Sequence, residues 1–198
     1  MKHRKQDRRV NKTKNAITKT LLTLMEKKSV GDITVSELTE MADINRKTFY
    51  NHYSNIDAVL DELENNCVNW ALAFVDDTTL ASLVEDPAML YTNIARGLQR
   101  HSEFLHLLHD SGIYSRVSNK ITISIKDAIM EKAKHEFKPE YLGRAEMLLD
   151  FITAGAVGIY DTMFSKEDPA TLDEVTEFFK YIFMHSNLQL VLSEEFIK

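Results

Sequence analysis

The 198-residue chain is 44% hydrophobic and 27% charged, which excludes wholesale disorder and allows one domain, or two small ones, with a buried core. Only six glycines, three prolines and one cysteine, Cys67, are present, which argues against a turn-rich all-β protein, a disulfide framework and a cysteine-based zinc site. Residues 1–60 hold 12 basic and 7 acidic residues, a net charge of +5, whereas residues 61–198 hold 12 and 23, a net charge of −11. This division predicts an anionic partner, nucleic acid or a membrane surface, at one end of the molecule.

The first predicted helix covers about residues 11–27. Its apolar residues Ile17, Leu21 and Leu24 recur at the spacing of one helical face. The segment before it is strongly basic, since residues 1–28 contain ten basic residues against two acidic ones. This basic leader is either a solvated, partly disordered segment or an arm that follows phosphate groups.

Residues 34–53 predict two short helices joined by a tight turn. Thr34 is a suitable N-cap for the first helix, with Glu37 at the reciprocal position of a capping box. Asn45 is a suitable N-cap for the second helix, which we expect to continue to about His52. The pattern is that of a helix–turn–helix, and the alternative is an ordinary helical hairpin with a polar face.

The second of these helices has the features of a DNA recognition helix. Phe49 and Tyr53 lie four residues apart and are assigned to the core, which leaves polar side chains on the face that could enter a major groove. Arg46 suits a guanine edge or a phosphate, and Asn51 suits an adenine edge. The predicted DNA contacts are Thr34, Arg46, Lys47, Thr48, Tyr50, Asn51 and His52.

The rest of the chain predicts more helices. Ser54 or Asn55 caps the next helix, which carries a long apolar stripe, and Thr171 with Glu174 resembles a second capping box. Each of the three prolines precedes a helical pattern. The stretch 121–125 alternates as a strand does, but it lies inside a helical window. We expect helices at about residues 87–100, 102–110, 113–134, 139–164 and 172–192.

The residues around the tight turn match a known pattern. It consists of Ile-Thr-Val at 33–35, Ala-Asp-Ile-Asn at 42–45 and Thr-Phe-Tyr-Asn-His-Tyr at 48–53. With them, the stretch from about residue 17 to residue 63 resembles the DNA-binding domain of the TetR family of bacterial transcriptional regulators. The resemblance implies an all-α homodimer that binds a palindromic operator in double-stranded DNA, and it gives the predicted DNA contacts that role. Most members of the family are repressors that a small effector releases from DNA.

Two positions differ from the usual pattern of that family. Asp43 stands where the turn usually has glycine, and aspartate tolerates unusual backbone angles. Ile56 begins the fourth helix where the family usually has a phosphate-contacting lysine. The basic leader is a candidate to replace that contact.

We predict two domains. Residues 1–53 contain the basic leader and the three-helix DNA-binding domain, and residues 54–198 form a helical domain for effector binding and dimerisation. Small residues within 151–164 permit close approach of helices, and this stretch also resembles the penultimate helix of one TetR subgroup, which usually forms half of a four-helix dimer bundle. The alternative is that these residues belong to an intramolecular core. The predicted dimer interface consists of Gly155, Gly158, Phe178 and Ile182.

The second domain offers a candidate effector cavity but no metal or catalytic site. A Met/aromatic stripe could line such a cavity, although ordinary core is the alternative. His101, His106 and His109 lie near acidic residues, but leucines interleave with them and we predict no metal. No cofactor is predicted, and we predict no enzyme because phosphate loops, nucleophile elbows and HExxH motifs are absent from the sequence. The candidate cavity residues are Trp70, Phe74, Met89 and Phe104.

The sequence therefore predicts a homodimeric repressor with an unidentified effector. One alternative keeps the fold but makes the protein an activator or co-regulator that works through a protein partner. Another is a helical ligand- or membrane-associated protein whose basic leader meets lipid headgroups. No apolar run reaches the ~18 residues of a membrane span, so we expect a cytoplasmic protein that does not enter the membrane, and the resemblance implies a bacterial one.

Overall fold

A computed structural model describes residues 2–76, 102–165 and 171–185. The regular secondary structure in these ranges is helical and includes no β-strand, which confirms the predicted all-α class. Short 3-10 turns at Val30–Asp32 and Pro139–Tyr141 precede the second and seventh helices. The α-helices are α1 (Lys2–Met25), α2 (Val35–Met41), α3 (Arg46–Tyr50), α4 (Ile56–Asp76), α5 (Ser102–Asp110), α6 (Tyr114–Glu136), α7 (Leu142–Ser165) and α8 (Leu172–His185).

Most of the predicted helices are present, with shifted ends. The helix α1 starts at Lys2 rather than near residue 11, so the described part of the basic leader is helical and not disordered. The strand-like stretch 121–125 lies within α6, as expected. The helix predicted at 87–100, and the end of the one predicted at 172–192, lie outside the described residues.

The chain divides into two compact units. The predicted boundary between residues 53 and 54 lies inside the first unit, because Ile56, Val59 and Leu60 of α4 join the core of that unit. The described residues of the first unit are 2–66 and 103–115, and those of the second are 67–76, 102, 116–165 and 171–185.

The core of the first unit is built by α1 to α4. Phe49 is fully buried and Tyr53 nearly so, which confirms the assignment of both aromatic residues to the core. Ile44, at the turn, packs against the same cluster. The other buried members are Ile17, Leu21, Leu24, Ile33, Leu38, Ile56, Val59 and Leu60.

Side-chain caps set the starts of α2, α3 and α4, as predicted. The Thr34 hydroxyl accepts a hydrogen bond from the Glu37 N–H at 3.2 Å, and the Asn45 side chain accepts one from the Lys47 N–H at 2.7 Å. Asn55, not Ser54, caps α4 through the N–H of residue 58 at 2.8 Å. The capping box at Thr34 is half-formed, because the carboxylate of Glu37 pairs with a lysine on the preceding turn, Lys28.

The second unit has its own hydrophobic core, and side-chain hydrogen bonds cap its last described helix. Val75 packs with Ile129, Ala133, Phe137 and Ala145. The capping box predicted at the start of α8 is complete. There the Thr171 N–H donates to the Glu174 carboxylate at 2.8 Å, and the Glu174 N–H donates to the Thr171 hydroxyl at 3.2 Å.

Candidate nucleic-acid interface

The turn before α3 has an unusual backbone geometry, which sets the direction of that helix. Asp43 has a φ of 52°, in the left-handed region, where a residue with a side chain is disfavoured but aspartate is tolerated better than most. The Ile44 N–H then donates to the Thr39 carbonyl at 3.0 Å. The short helix α3 therefore starts in a direction fixed by the end of α2 and by the Asn45 cap.

Every predicted DNA contact lies in the first unit and outside its core. Thr34, Arg46, Lys47, Tyr50 and Asn51 are exposed, and the other two, Thr48 and His52, are half-buried. Tyr50 is 58% exposed, which is high for a large aromatic side chain. Its ring is anchored edge-on against the buried Phe49, with ring centres 5.5 Å apart. Whether these residues contact DNA stays a prediction.

One residue at this surface and one exposed apolar residue of α2 were not found from the sequence. Ser36 on α2 accepts a hydrogen bond from the Arg46 guanidinium, so it orients the arginine at the start of α3. Met41, at the end of α2, is 49% exposed. A serine and a methionine inside a helical segment carry no distinctive sequence signal, because both also occur routinely on solvated or core faces.

A polar cluster fixes α1 and α4 beside α3. The Lys14 ammonium contacts both carboxylate oxygens of Glu62, at 2.9 and 2.7 Å, and lies 5.3 Å from the centre of the Tyr53 ring. The Tyr53 hydroxyl donates to Glu62 at 3.2 Å. Burial, together with the neighbouring negative charge of Glu62, raises the pKa of Tyr53 well above its ordinary range.

The raised pKa of Tyr53 gives an expected pH dependence. In the unfolded chain the phenol ionises near pH 10, whereas in the folded unit it stays neutral to higher pH. The neutral, buried phenol therefore makes its full contribution to the free energy of unfolding below about pH 10. As the pH rises above that value, this contribution falls by up to about 1.4 kcal/mol per pH unit. Chemical denaturation of the wild type and of Tyr53→Phe between pH 9 and about 11 measures this difference. Parallel pH profiles for the two proteins would contradict it.

Ile56 has a structural role at the start of α4. It is buried and belongs to the core of the first unit. It therefore presents no side chain to a phosphate, so the lysine contact that is usual in the resembled family is not available at this position.

The predicted dimer residues lie on α7 and α8 in the second unit. Gly155 and Gly158 are exposed, and an added Cβ would meet no atom of the chain within 4 Å. Phe178 is 51% exposed and Ile182 is half-buried. Two apolar residues on the same helix as the glycines were not found from the sequence: Met147 is 66% exposed and Phe151 is 67% exposed.

The candidate effector cavity falls only partly on described residues. Trp70 and Phe104 are half-buried, in the second and first units respectively. The side chain of Phe74 and all of Met89 lie outside the described residues, and the cavity stays a prediction.

Among the residues described, no group of three His, Cys, Asp or Glu side chains could hold a metal ion, and His101 is outside that set. No helix in the described ranges is both long enough and apolar enough to cross a membrane.

Part of the sequence is similar to that of a known transcriptional regulator. No family model matches the sequence. Over 83 residues, 41% of this chain, the sequence is 36% identical to an uncharacterized HTH-type transcriptional regulator, YxbF, of Bacillus subtilis (strain 168). The match spans only 21% of that protein's length.

Two solved structures resemble the whole chain. One is a TetR transcriptional regulator from Streptococcus agalactiae 2603V, with a TM-score of 0.57 and 18% identity, over 89% of this chain and 96% of that one. The other is the dihydroxyacetone kinase operon activator DhaS, with a TM-score of 0.52 and 18% identity, over 94% and 98% of the two chains. The chain has the all-helical fold of TetR transcriptional regulators.

Proposed function

We propose that this protein is a transcriptional regulator that binds double-stranded DNA sequence-specifically through α3. The observation that carries the proposal is the division of this short helix into a buried aromatic side and an exposed polar side. Phe49 is fully buried, while Lys47 and Asn51 are exposed on the opposite side and Arg46 is exposed at the N-terminal end of the helix. Donors and acceptors near the N-terminus of a helix are what readout in a major groove requires.

Arg46 and Tyr50 have distinct proposed roles. The Arg46 guanidinium, oriented by Ser36, forms paired hydrogen bonds with a guanine edge or a phosphate. The exposed Tyr50 hydroxyl donates to a phosphate and fixes the position of α3 on the duplex. Lys47, Thr48, Asn51, His52 and Thr34 complete the surface.

The active species is proposed to be a two-fold homodimer formed through the second unit. On α7, Met147 and Phe151 are one turn apart and exposed, and Ala154 and Gly158 continue the same side of the helix. Apolar residues that share one exposed face of a helix are more typical of an interaction surface than apolar residues scattered singly. The glycines provide space for a helix of the partner, so α7 can approach it closely. Two copies of α3 then reach half-sites about 34 Å apart, or a multiple of that distance, on a palindromic operator.

We further propose that the protein is a repressor, in the cytoplasm, and that a small effector bound between residues 54 and 198 releases it from DNA. Such an effector acts by binding better to a state whose half-site spacing does not fit the operator. The activator or co-regulator alternative is supported by the likeness to the fold of DhaS, which is itself described as an activator. The two alternatives predict different effects of an effector on DNA binding. An effector lowers the affinity of a repressor for its operator, whereas it leaves the affinity of an activator unchanged or raises it.

DNA binding is tested first by selecting duplexes from a random pool and comparing the best one with a scrambled version. We expect Arg46→Ala to lower affinity for the selected duplex by about 5- to 150-fold, the equivalent of 1–3 kcal/mol. Affinity for the scrambled duplex should fall much less where Arg46 contacts a guanine edge, and by a similar factor where it contacts a phosphate. Arg144→Ala is the matched control, because Arg144 is an exposed arginine of the second unit. Equal affinity of the wild type for selected and scrambled duplexes would overturn the proposed function.

A further inference from the structure

The outward face of α1 carries a row of cations that the proposed function does not use. Arg8, Lys12 and Lys19 fall within roughly 40° of one another around the helix axis, at 3.6 residues per turn, and Arg9 lies beside them. All four side chains are exposed. Arg8, Lys12 and Lys19 lie opposite the fully buried Ile17, and Arg9 lies on the flank of the helix between the two faces. We call these four residues the α1 stripe.

The α1 stripe differs from several lysines of the protein in what surrounds it. In the second unit, Lys126, Lys134 and Lys180 each contact a carboxylate within about 3 Å. In the first unit, Lys14 and Lys28 are paired with Glu62 and Glu37. Among the side chains that the structure describes, no carboxylate lies within 4.0 Å of any member of the stripe. The positive charge of this face is therefore not neutralised by those side chains.

We propose that the α1 stripe binds the phosphate backbone of duplex DNA, as a second contact surface beside α3. The proposal rests on the proposed function, since it concerns the same DNA. From residue 8 to residue 19 the helix rises about 16 Å, which is the axial length occupied by about five phosphates of one strand. Four cations over that length match the charge density of the backbone without exceeding it.

The apolar side of α1 favours DNA over a lipid surface. A basic helix that lies on a membrane inserts an apolar face into the headgroup region. In α1 that face is occupied, because Ile17 and Leu21 have no exposed surface and Leu24 is nearly buried in the core of the first unit. Only the charged face of α1 is therefore available to a partner, and such a face suits the phosphates of a duplex.

The test compares the full-length wild type with the variant Arg8→Gln/Arg9→Gln/Lys12→Gln/Lys19→Gln. Glutamine forms helices well, so α1 should persist, and circular dichroism checks this. Affinities for the selected and the scrambled duplex are measured between roughly 50 and 200 mM salt. The slope of log K against log salt should become shallower by about 0.9 for each phosphate that the variant no longer neutralises. Affinity for both duplexes should fall by a similar factor, about tenfold or more at the higher salt, and their ratio should be unchanged.

Two further variants keep the test decisive. Arg8→Lys/Arg9→Lys retains the charge and should therefore retain the salt slope. Lys12→Gln/Lys19→Gln removes two of the four charges and should make the salt slope partly shallower, which keeps the test available if the fourfold variant does not fold. The charge-matched control is Lys134→Gln/Lys180→Gln, on the second unit, which should leave the slope unchanged.

The outcomes separate this proposal from the function it rests on. A salt slope that is equal in the wild type and the stripe variants overturns the role of the stripe, whatever α3 does. Binding of the wild type, but not of the variants, to phosphatidylserine vesicles with an unchanged DNA slope assigns the stripe to lipid and also overturns it. If the wild type does not distinguish selected from scrambled DNA, only the proposed sequence specificity is overturned, because the salt slope is still measured on the scrambled duplex.

Discussion

Phe49→Ala is expected to lower the free energy of unfolding of the first unit by about 3–5 kcal/mol, which is a large part of the 5–15 kcal/mol that stabilises an ordinary domain. The ring is fully buried, so its removal leaves a cavity beneath α3. This helix has five residues, too few to persist without tertiary packing. The loss of one ring should therefore unfold the helix as well as weaken the core.

The measurement is urea denaturation followed by circular dichroism, with Tyr50→Ala as the control on the same helix. Tyr50 is exposed and its edge-on contact with Phe49 is worth about 1 kcal/mol, so that variant should be destabilised far less. DNA binding should be weakened in both variants, in Phe49→Ala through loss of α3 and in Tyr50→Ala through loss of the hydroxyl. Equal destabilisation by the two substitutions would show that the assigned core position of Phe49 is wrong.

Phe151→Glu is expected to raise the dissociation constant of the proposed homodimer by 100-fold or more. This corresponds to at least about 2.7 kcal/mol, the range of an aromatic residue at the centre of an interface. A carboxylate on an apolar face of α7 loses the packing and adds a charge that the partner copy repeats across the two-fold axis. DNA affinity should fall with it, because two linked α3 helices bind far more tightly than one.

Ile123→Glu is the matched control for this substitution. Ile123 on α6 is 61% exposed, close to the 67% of Phe151, and it is not part of the proposed interface. Both variants should fold as the wild type does, since neither side chain is in a core. Sedimentation velocity across a concentration series measures the dimer. If the two variants dissociate to the same extent, α7 does not form the interface and the proposed dimer is incorrect.

The helices and their caps could be read from the sequence because they depend on neighbouring residues. Thr34, Asn45 and Asn55 cap helices as expected, and each contact joins residues two or three positions apart. The burial of Phe49 and Tyr53 follows from the same local periodicity. These features need no knowledge of the tertiary arrangement.

Contacts between distant segments could not be predicted in this way. Lys14 meets Glu62 across 48 positions of the chain, and Arg46 is held by Ser36 on another helix. The early start of α1 was missed because apolar periodicity marks only the face that packs against the core. The exposed Phe151 on α7 was missed for a related reason, since an apolar residue on a helix is ordinarily assigned to the interior.

The backbone of Asp43 has a consequence for the denatured ensemble. Glycine would adopt a φ of 52° freely, but an unfolded chain with glycine there has more conformations to lose. Aspartate has fewer, which offsets part of the cost of the left-handed conformation, and the two effects are each about 1 kcal/mol. In the folded protein, the left-handed turn and the hydrogen bond from the Ile44 N–H to the Thr39 carbonyl hold α3 at one angle to α2. In the proposed DNA complex, this preset angle leaves less of the protein to be ordered on binding, so more of the contact energy would be retained as affinity.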